Sequence, residues 1–181
     1  MMRYLILALA LLAVAPAHSA IIEIKDNAIE ISGPIETGDF EKFVEIIANY
    51  PHSKIVLLNS RGGMAKDAVE IGLFIRNMEY ATLVPTGKVC GSACVYIWAA
   101  GKPRGLGQSS GMIAGGMIYV HCPTDKERLQ RNECSEVGIA YVTKYLLEME
   151  MPREVIDRMV TIRPNEQFWP RSDIDGHYHN E

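Results

Sequence analysis

The sequence has 181 residues, with 18 Lys and Arg against 22 Asp and Glu for a formal net charge of −4 at pH 7. That length fits a short leader and one domain able to bury a core of its own without disulfides. The mildly acidic balance, with no basic stripe, argues against nucleic acid or an anionic membrane surface as the main partner.

Arg3 precedes an unbroken apolar run from Leu5 to Val14, and the small residues Ala15, Ala17, Ser19 and Ala20 follow. This is the layout of a secretory signal peptide. Residues 1–20 are therefore expected to be removed, leaving residues 21–181 as a single domain in an exported protein, periplasmic or secreted. The run is short of the about 20 apolar residues a membrane helix needs, and no cysteine lies near the cleavage region to accept a lipid. A retained N-terminal anchor is the competing reading; otherwise no membrane partner is expected after cleavage. Loss of Arg3 leaves 17 Lys and Arg against 22 Asp and Glu, a net charge of −5.

Residues 21–35 read as two short strands around Asp26-Asn27, with Ile22 and Ile24, then Ile29 and Ile31, in alternation. From Asp39, the residues Phe40, Phe43, Val44 and Ile47 recur at i, i+3, i+4 and i+7, an amphipathic helix closed by Pro51. Ile55 to Leu58 is a continuous apolar run, as in a strand covered on both faces. Ala65, Ala68, Val69, Gly72 and Ile75 then line a helical face, and Tyr80 to Val84 returns to strand character. Residues 54–84 thus predict a βαβ unit with parallel strands and a right-handed connection.

A second unit is predicted from a turn at Val89 to Gly91, an apolar helix from Ser92 to Ala100, a glycine-rich stretch, and a strand from Met117 to Val120. Beyond it, Ile139, Val142, Leu146 and Met149 share one helical face, and Pro152 opens a further helix carrying Ile156 and Met159. In such an architecture the chemistry gathers at the carboxyl ends of the strands.

All four cysteines, Cys90, Cys94, Cys122 and Cys134, follow the leader, where an oxidising compartment favours pairing them. Three connectivities are possible, and Cys90 with Cys94 and Cys122 with Cys134 are favoured because each pair closes a short loop. The spacing lacks the paired Cys-x-x-Cys arms of structural zinc sites, so no metal is expected. His177 and His179 read as part of a solvated tail.

Two turns carry the chemical signal. Gly62-Gly63, just after an apolar strand, allows close backbone approach and leaves N–H groups pointing outward, as an oxyanion site requires. Read alone it is an ordinary strand-to-helix turn. Ser92 sits beside the unpaired N–H groups at the head of an apolar helix, and read alone it is a helix cap. His121 after an apolar strand, read alone, is more often a structural residue than a catalytic one.

Taken together, Leu58-Asn59-Ser60-Arg61-Gly62-Gly63, then Cys90-Gly91-Ser92-Ala93-Cys94 and Ala99-Ala100-Gly101, resemble the Clp protease proteolytic subunit and its exported relatives in the ClpP/crotonase-like superfamily. The resemblance covers residues 50–125 well and the rest in outline. It implies an α/β fold of repeated ββα (βαβ) units, with a mostly parallel sheet flanked by helices. It also implies an exported serine peptidase or related hydrolase acting on peptides, unfolded chains or other acyl substrates, with no cofactor and with self-association into a homo-oligomer.

Carried across residue by residue, Ser92 would be the nucleophile, His121 the general base, and the backbone N–H groups of Gly63 and Ala93 the oxyanion hole. The family's third member is an aspartate in a late Thr-x-Arg-Asp turn, where this sequence reads Thr161-Ile162-Arg163-Pro164-Asn165-Glu166. Pro164 or Asn165 falls at the matching place, with Asn165 the candidate to orient the histidine and Glu166 as substitute. The absent aspartate motivates an alternative, a catalytically inactive binding or assembly module. Crotonase-type acyl-CoA chemistry, a third reading, is disfavoured by export away from cytoplasmic CoA.

Overall fold

The computed structural model describes residues 19–108 and 115–166. The apolar leader run and the histidines at 177 and 179 lie outside the described residues. β1 (Ile21–Lys25) and β2 (Ala28–Ser32) form the expected hairpin, in the register Ile22 with Ile31 and Ile24 with Ile29. Its turn residues Asp26 and Asn27 have φ of 49° and 64°, left-handed values that Asp and Asn tolerate better than other side chains.

α1 (Asp39–Asn49) buries Phe43 and Ile47 from its apolar stripe. β3 (Ile55–Asn59), α2 (Ala65–Asn77) and β4 (Ala81–Val84) make the predicted βαβ unit, with β4 parallel to β3 and β3 parallel to β2. Four of the five α2 positions picked out by spacing are buried: Ala68, Val69, Gly72 and Ile75, joined by Ile71.

The second unit differs from expectation in its short pieces. Val89 to Gly91 is a strand, β5, rather than a turn, and it pairs in parallel with β7 (Met117–Tyr119) in a separate two-stranded sheet. Gly91 sits in a strand because the Tyr119 ring fills the place of a side chain: a Cβ there would lie 1.9 Å from Tyr119 Cζ. α3 (Cys94–Ala99) starts two residues later than predicted. β6 (Arg104–Leu106) and α4 (Lys126–Gln130) were not anticipated. Three to five residues hold about one period of either pattern, too little to register as periodicity. β6 extends the main sheet, whose order is β1-β2-β3-β4-β6 and whose pairings beyond the hairpin are all parallel.

Every residue of α3 is buried, which explains why it is apolar all round. α5 (Glu136–Glu148) packs Val142, Tyr145 and Leu146 inward, and α6 (Arg153–Thr161) packs Val155, Ile156 and Met159. Tyr145 donates to the Tyr96 carbonyl at 2.7 Å, through a slot that exists because residue 72 is glycine: a Cβ there would lie 1.9 Å from the Tyr145 hydroxyl. The buried apolar residues form one cluster from Ala20 to Met159, and each large side chain fully inside it, such as Trp98 or Ile97, contributes about 2 kcal/mol.

Cys90 is bonded to Cys94 and Cys122 to Cys134, with Cα–Cα distances of 5.2 and 5.5 Å. These are the two short-loop pairings. Among the described residues no helix is long and apolar enough to cross a membrane.

Candidate active site

Three segments leave the carboxyl ends of the parallel strands β3, β5 and β7 and converge. The first is the turn after β3. Ser60 is buried, and its hydroxyl accepts from the Gly62 N–H at 3.0 Å. Gly62 and Gly63 have φ of 99° and 147°. The Gly62 carbonyl accepts from Ile35 N–H at 3.0 Å, and the Ile35 carbonyl accepts from Met64 N–H at 2.8 Å. A Cβ on Gly63 would fall 2.0 Å from the Ile35 oxygen, so glycine is required there by contact as well as by φ.

The second segment is the turn after β5. Ser60 N–H donates to the Val89 carbonyl and Gly91 N–H to the Ser60 carbonyl, each at 2.9 Å, which locks the two turns side by side. Ser92 has φ of 51°, a left-handed backbone uncommon for a side chain other than Gly, Asn or Asp. Its N–H donates to the Tyr119 carbonyl at 3.0 Å, while its carbonyl accepts from Val95 N–H at 3.0 Å. The Cys90–Cys94 disulfide spans this turn with Ser92 at its centre. The N-cap residue of α3 is Ala93 rather than Ser92, and that cap makes no side-chain hydrogen bond.

The third segment follows β7. Tyr119 donates from its hydroxyl to the Arg61 carbonyl at 3.0 Å, tying β7 back to the first turn. Burial raises the Tyr119 phenol above its ordinary value, opposed by the nearby Arg61 charge, so it stays a neutral donor. His121 is half-buried, and its Nδ1 lies 2.8 Å from the Cys122 carbonyl oxygen. Cys122 is itself fixed by its N–H, which donates to the Ile162 carbonyl at 2.7 Å, and by its bond to Cys134.

Ser92, His121, Gly63 and Ala93 all line one cavity of about 340 Å³, with Met64, Tyr96 and Leu129 among its apolar walls. Among the described residues the backbone N–H groups of Gly63 and Ala93 have no hydrogen-bond acceptor, so both remain available at the cavity. Among the described residues no hydrogen bond joins Ser92 Oγ to His121.

The loop closed by Cys122 and Cys134 also lines this cavity, through Pro123, Thr124, Asp125 and Lys126. Asp125 caps α4 by accepting from the Arg128 and Glu127 N–H groups, and these bonds with the Arg128 side chain hold its carboxyl below the usual range. A larger hollow of about 740 Å³ beside the same loop is lined by Arg128, Arg131 and Arg163 and contains none of the four residues above.

Asn165 and Glu166 are exposed and do not line the Ser92 cavity. The Asn165 N–H donates to Asn132 Oδ1 at 2.9 Å, the Glu166 N–H to the Arg163 carbonyl at 2.9 Å, and neither side chain bonds to His121. Among the described residues no group of three or more His, Cys, Asp or Glu could hold a metal ion.

No protein-family model matches the chain, and no curated protein matches it in sequence. Solved structures do match its fold. A point variant of ClpP1 from Listeria monocytogenes is 16% identical, with 84% of this chain and 86% of that one covered and a TM-score of 0.56. ClpP1 from the same organism gives 14% identity, coverage of 84% and 86%, and a TM-score of 0.53. The ClpP protease catalytic domain from Plasmodium falciparum gives 14% identity, coverage of 82% and 79%, and a TM-score of 0.51. At these identities the likeness is one of fold: the chain has the ClpP-like α/β architecture, a mostly parallel sheet flanked by helices.

Proposed function

We propose that the protein is an exported serine hydrolase of the peptidase type, with residues 1–20 as its leader and residues 21–181 as a single catalytic domain. Ser92 Oγ attacks the acyl carbon of a peptide or other acyl substrate while His121 Nε2 takes its proton. The oxyanion that forms is held by the N–H groups of Gly63 and Ala93. His121 then returns the proton to the leaving amine, and water repeats the sequence to release the acid and restore Ser92. Neither a metal nor a nucleotide enters this scheme. Substrates are peptides or already unfolded chains, and the cavity walls of Met64, Tyr96 and Leu129 suit an apolar side chain next to the scissile bond.

The observation that carries the reading is the backbone of Ser92. A serine with φ of 51°, spanned by a disulfide and lining the same cavity as His121 and two unpaired N–H groups, has no evident structural purpose. The two disulfides fit an oxidising compartment, and the fold is one used by ClpP proteins.

A second reading, a binding or assembly module without turnover, draws on one observation: no carboxylate hydrogen-bonds to His121 among the described residues. Labelling the mature, oxidised protein with a fluorophosphonate serine-hydrolase probe, read by intact mass beside Ser92→Ala, separates the two. Labelling that vanishes in the variant supports the hydrolase; no labelling of either protein favours the binding module.

A further inference from the structure

We infer that the main-chain carbonyl of Cys122 is the positioning group for His121, in the part a triad carboxylate plays. The inference rests on the hydrolase reading above and names what orients its base. The Nδ1 to oxygen distance is 2.8 Å. A carbonyl oxygen only accepts, so Nδ1 carries the hydrogen, and the lone pair of the neutral ring is left at Nε2. That is the tautomer a base for Ser92 must have.

The carbonyl is a fixed acceptor. Cys122 is fully buried, its N–H is held by Ile162, and its sulfur is tied to Cys134. The adjoining peptide is held as well, since Ser135 N–H donates to the Pro123 carbonyl at 2.7 Å. Hence the imidazole finds its partner already oriented when substrate enters, as a preorganised site requires.

The late turn where a carboxylate was expected does reach this neighbourhood, at one remove. Ile162, within Thr161 to Glu166, supplies a backbone carbonyl to Cys122 and no side chain to His121. The arrangement fixes tautomer and ring direction without a full negative charge. A carbonyl oxygen carries only a partial negative charge, so imidazolium is steadied less than beside a carboxylate.

The test is a long-range ¹H–¹⁵N spectrum of ¹⁵N-histidine-labelled, oxidised protein at a pH where the ring is neutral, with His121 assigned by loss of its signals in His121→Gln. The expected result is a protonated Nδ1 and an unprotonated Nε2, unchanged in Asn165→Ala. In Cys122→Ser/Cys134→Ser, which frees the loop, the two nitrogens should average toward a mixture. Its kcat should fall by up to about 100-fold at constant KM, the loss expected of a reacting group misplaced by about 1 Å. A protonated Nε2 in the wild-type protein, with fluorophosphonate labelling of Ser92 intact, overturns the carbonyl's role and leaves the hydrolase standing. A protonated Nδ1 without labelling overturns the hydrolase reading instead.

Discussion

Gly62 packs against Ser92: a Cβ on Gly62 would lie 2.9 Å from Ser92 Cβ, 2.9 Å from the Ala93 nitrogen and 2.6 Å from the Gly91 oxygen. The turn offered for the oxyanion and the turn bearing the nucleophile are therefore one packed unit. Gly62→Ala must push the second turn away, and must also hold a side chain at φ of 99°. A stability loss of about 1–3 kcal/mol is expected, together with much slower fluorophosphonate labelling in protein that remains folded at the assay temperature. Labelling at the wild-type rate would show that Ser92 does not depend on its neighbour.

Groups that act as a unit fail together. Ser92→Ala and His121→Ala should each reduce turnover to a similar extent, and the double variant should be hardly worse than either alone. The residual rate should exceed that in water, because the N–H groups of Gly63 and Ala93 remain. Steady-state kinetics on a short peptide ester, comparing the two single variants with the double, checks this. Full activity in His121→Ala would remove His121 as the base.

How much of this could be read from the letters follows from what each letter encodes. α1, β3, α2 and β4 were legible because their apolar spacing runs for a full period or more, as with Phe43 and Ile47 or Ala68 and Ile75. β5, β6 and α4 were not, being shorter than the patterns that would announce them. The cysteine pairing was legible from loop length. Ser92, His121, Gly63 and Ala93 were picked out by the resemblance that two glycine-bearing turns and a strand end carry to the Clp proteolytic subunit, and all four line one cavity. What could not be read is the partner of His121 Nδ1, because a main-chain carbonyl belongs to every residue and no residue type signals it.

The two disulfides should serve different ends. Cys122 and Cys134 are 12 residues apart in sequence, and closing a loop of about this size restricts the unfolded chain by about 3 kcal/mol. Reduction should therefore lower the melting temperature by about 6–12 °C, at 2–4 °C per kcal/mol for a chain of this size. Cys90 and Cys94 are only 4 residues apart, so their bond adds less stability while holding the Ser92 turn. Cys90→Ala/Cys94→Ala should lose labelling out of proportion to its loss of stability. Calorimetry of oxidised and reduced protein, with thiol titration, decides the first point; equal melting with free thiols would refute it.

Asp39 makes the chain that still carries Ser19 and Ala20 sensitive to acid, whereas removal of residues 1–20 takes away two of its donors. Its side chain is fully buried and accepts from Ala20 N–H at 3.1 Å, Glu36 N–H at 2.8 Å, Lys42 Nζ at 3.0 Å and the Ser19 hydroxyl. Burial pushes its carboxyl upward, yet the hydrogen bonds from Ser19, Glu36, Lys42 and Ala20 together outweigh it and hold the group below its ordinary value. A carboxyl depressed in the folded state stabilises above the unfolded value of about 3.9, and that contribution is lost as pH falls through the lower folded value.

The bonds tie the start of β1 to the segment 33–38, and Ile35 in that segment carries the Gly62-Gly63 turn. In the uncleaved chain, where Ser19 and Ala20 are present, Asp39→Asn should cost about 1–3 kcal/mol at pH 7, since an amide cannot accept from every donor. It should also slow labelling of Ser92. The melting curves of wild type and variant should begin to converge as pH drops below about 3.9 and meet once it falls through the lower folded value, where the wild-type carboxyl in the fold takes up its proton. A difference undiminished at pH 2 would mean that Asp39 is not held ionised in the fold.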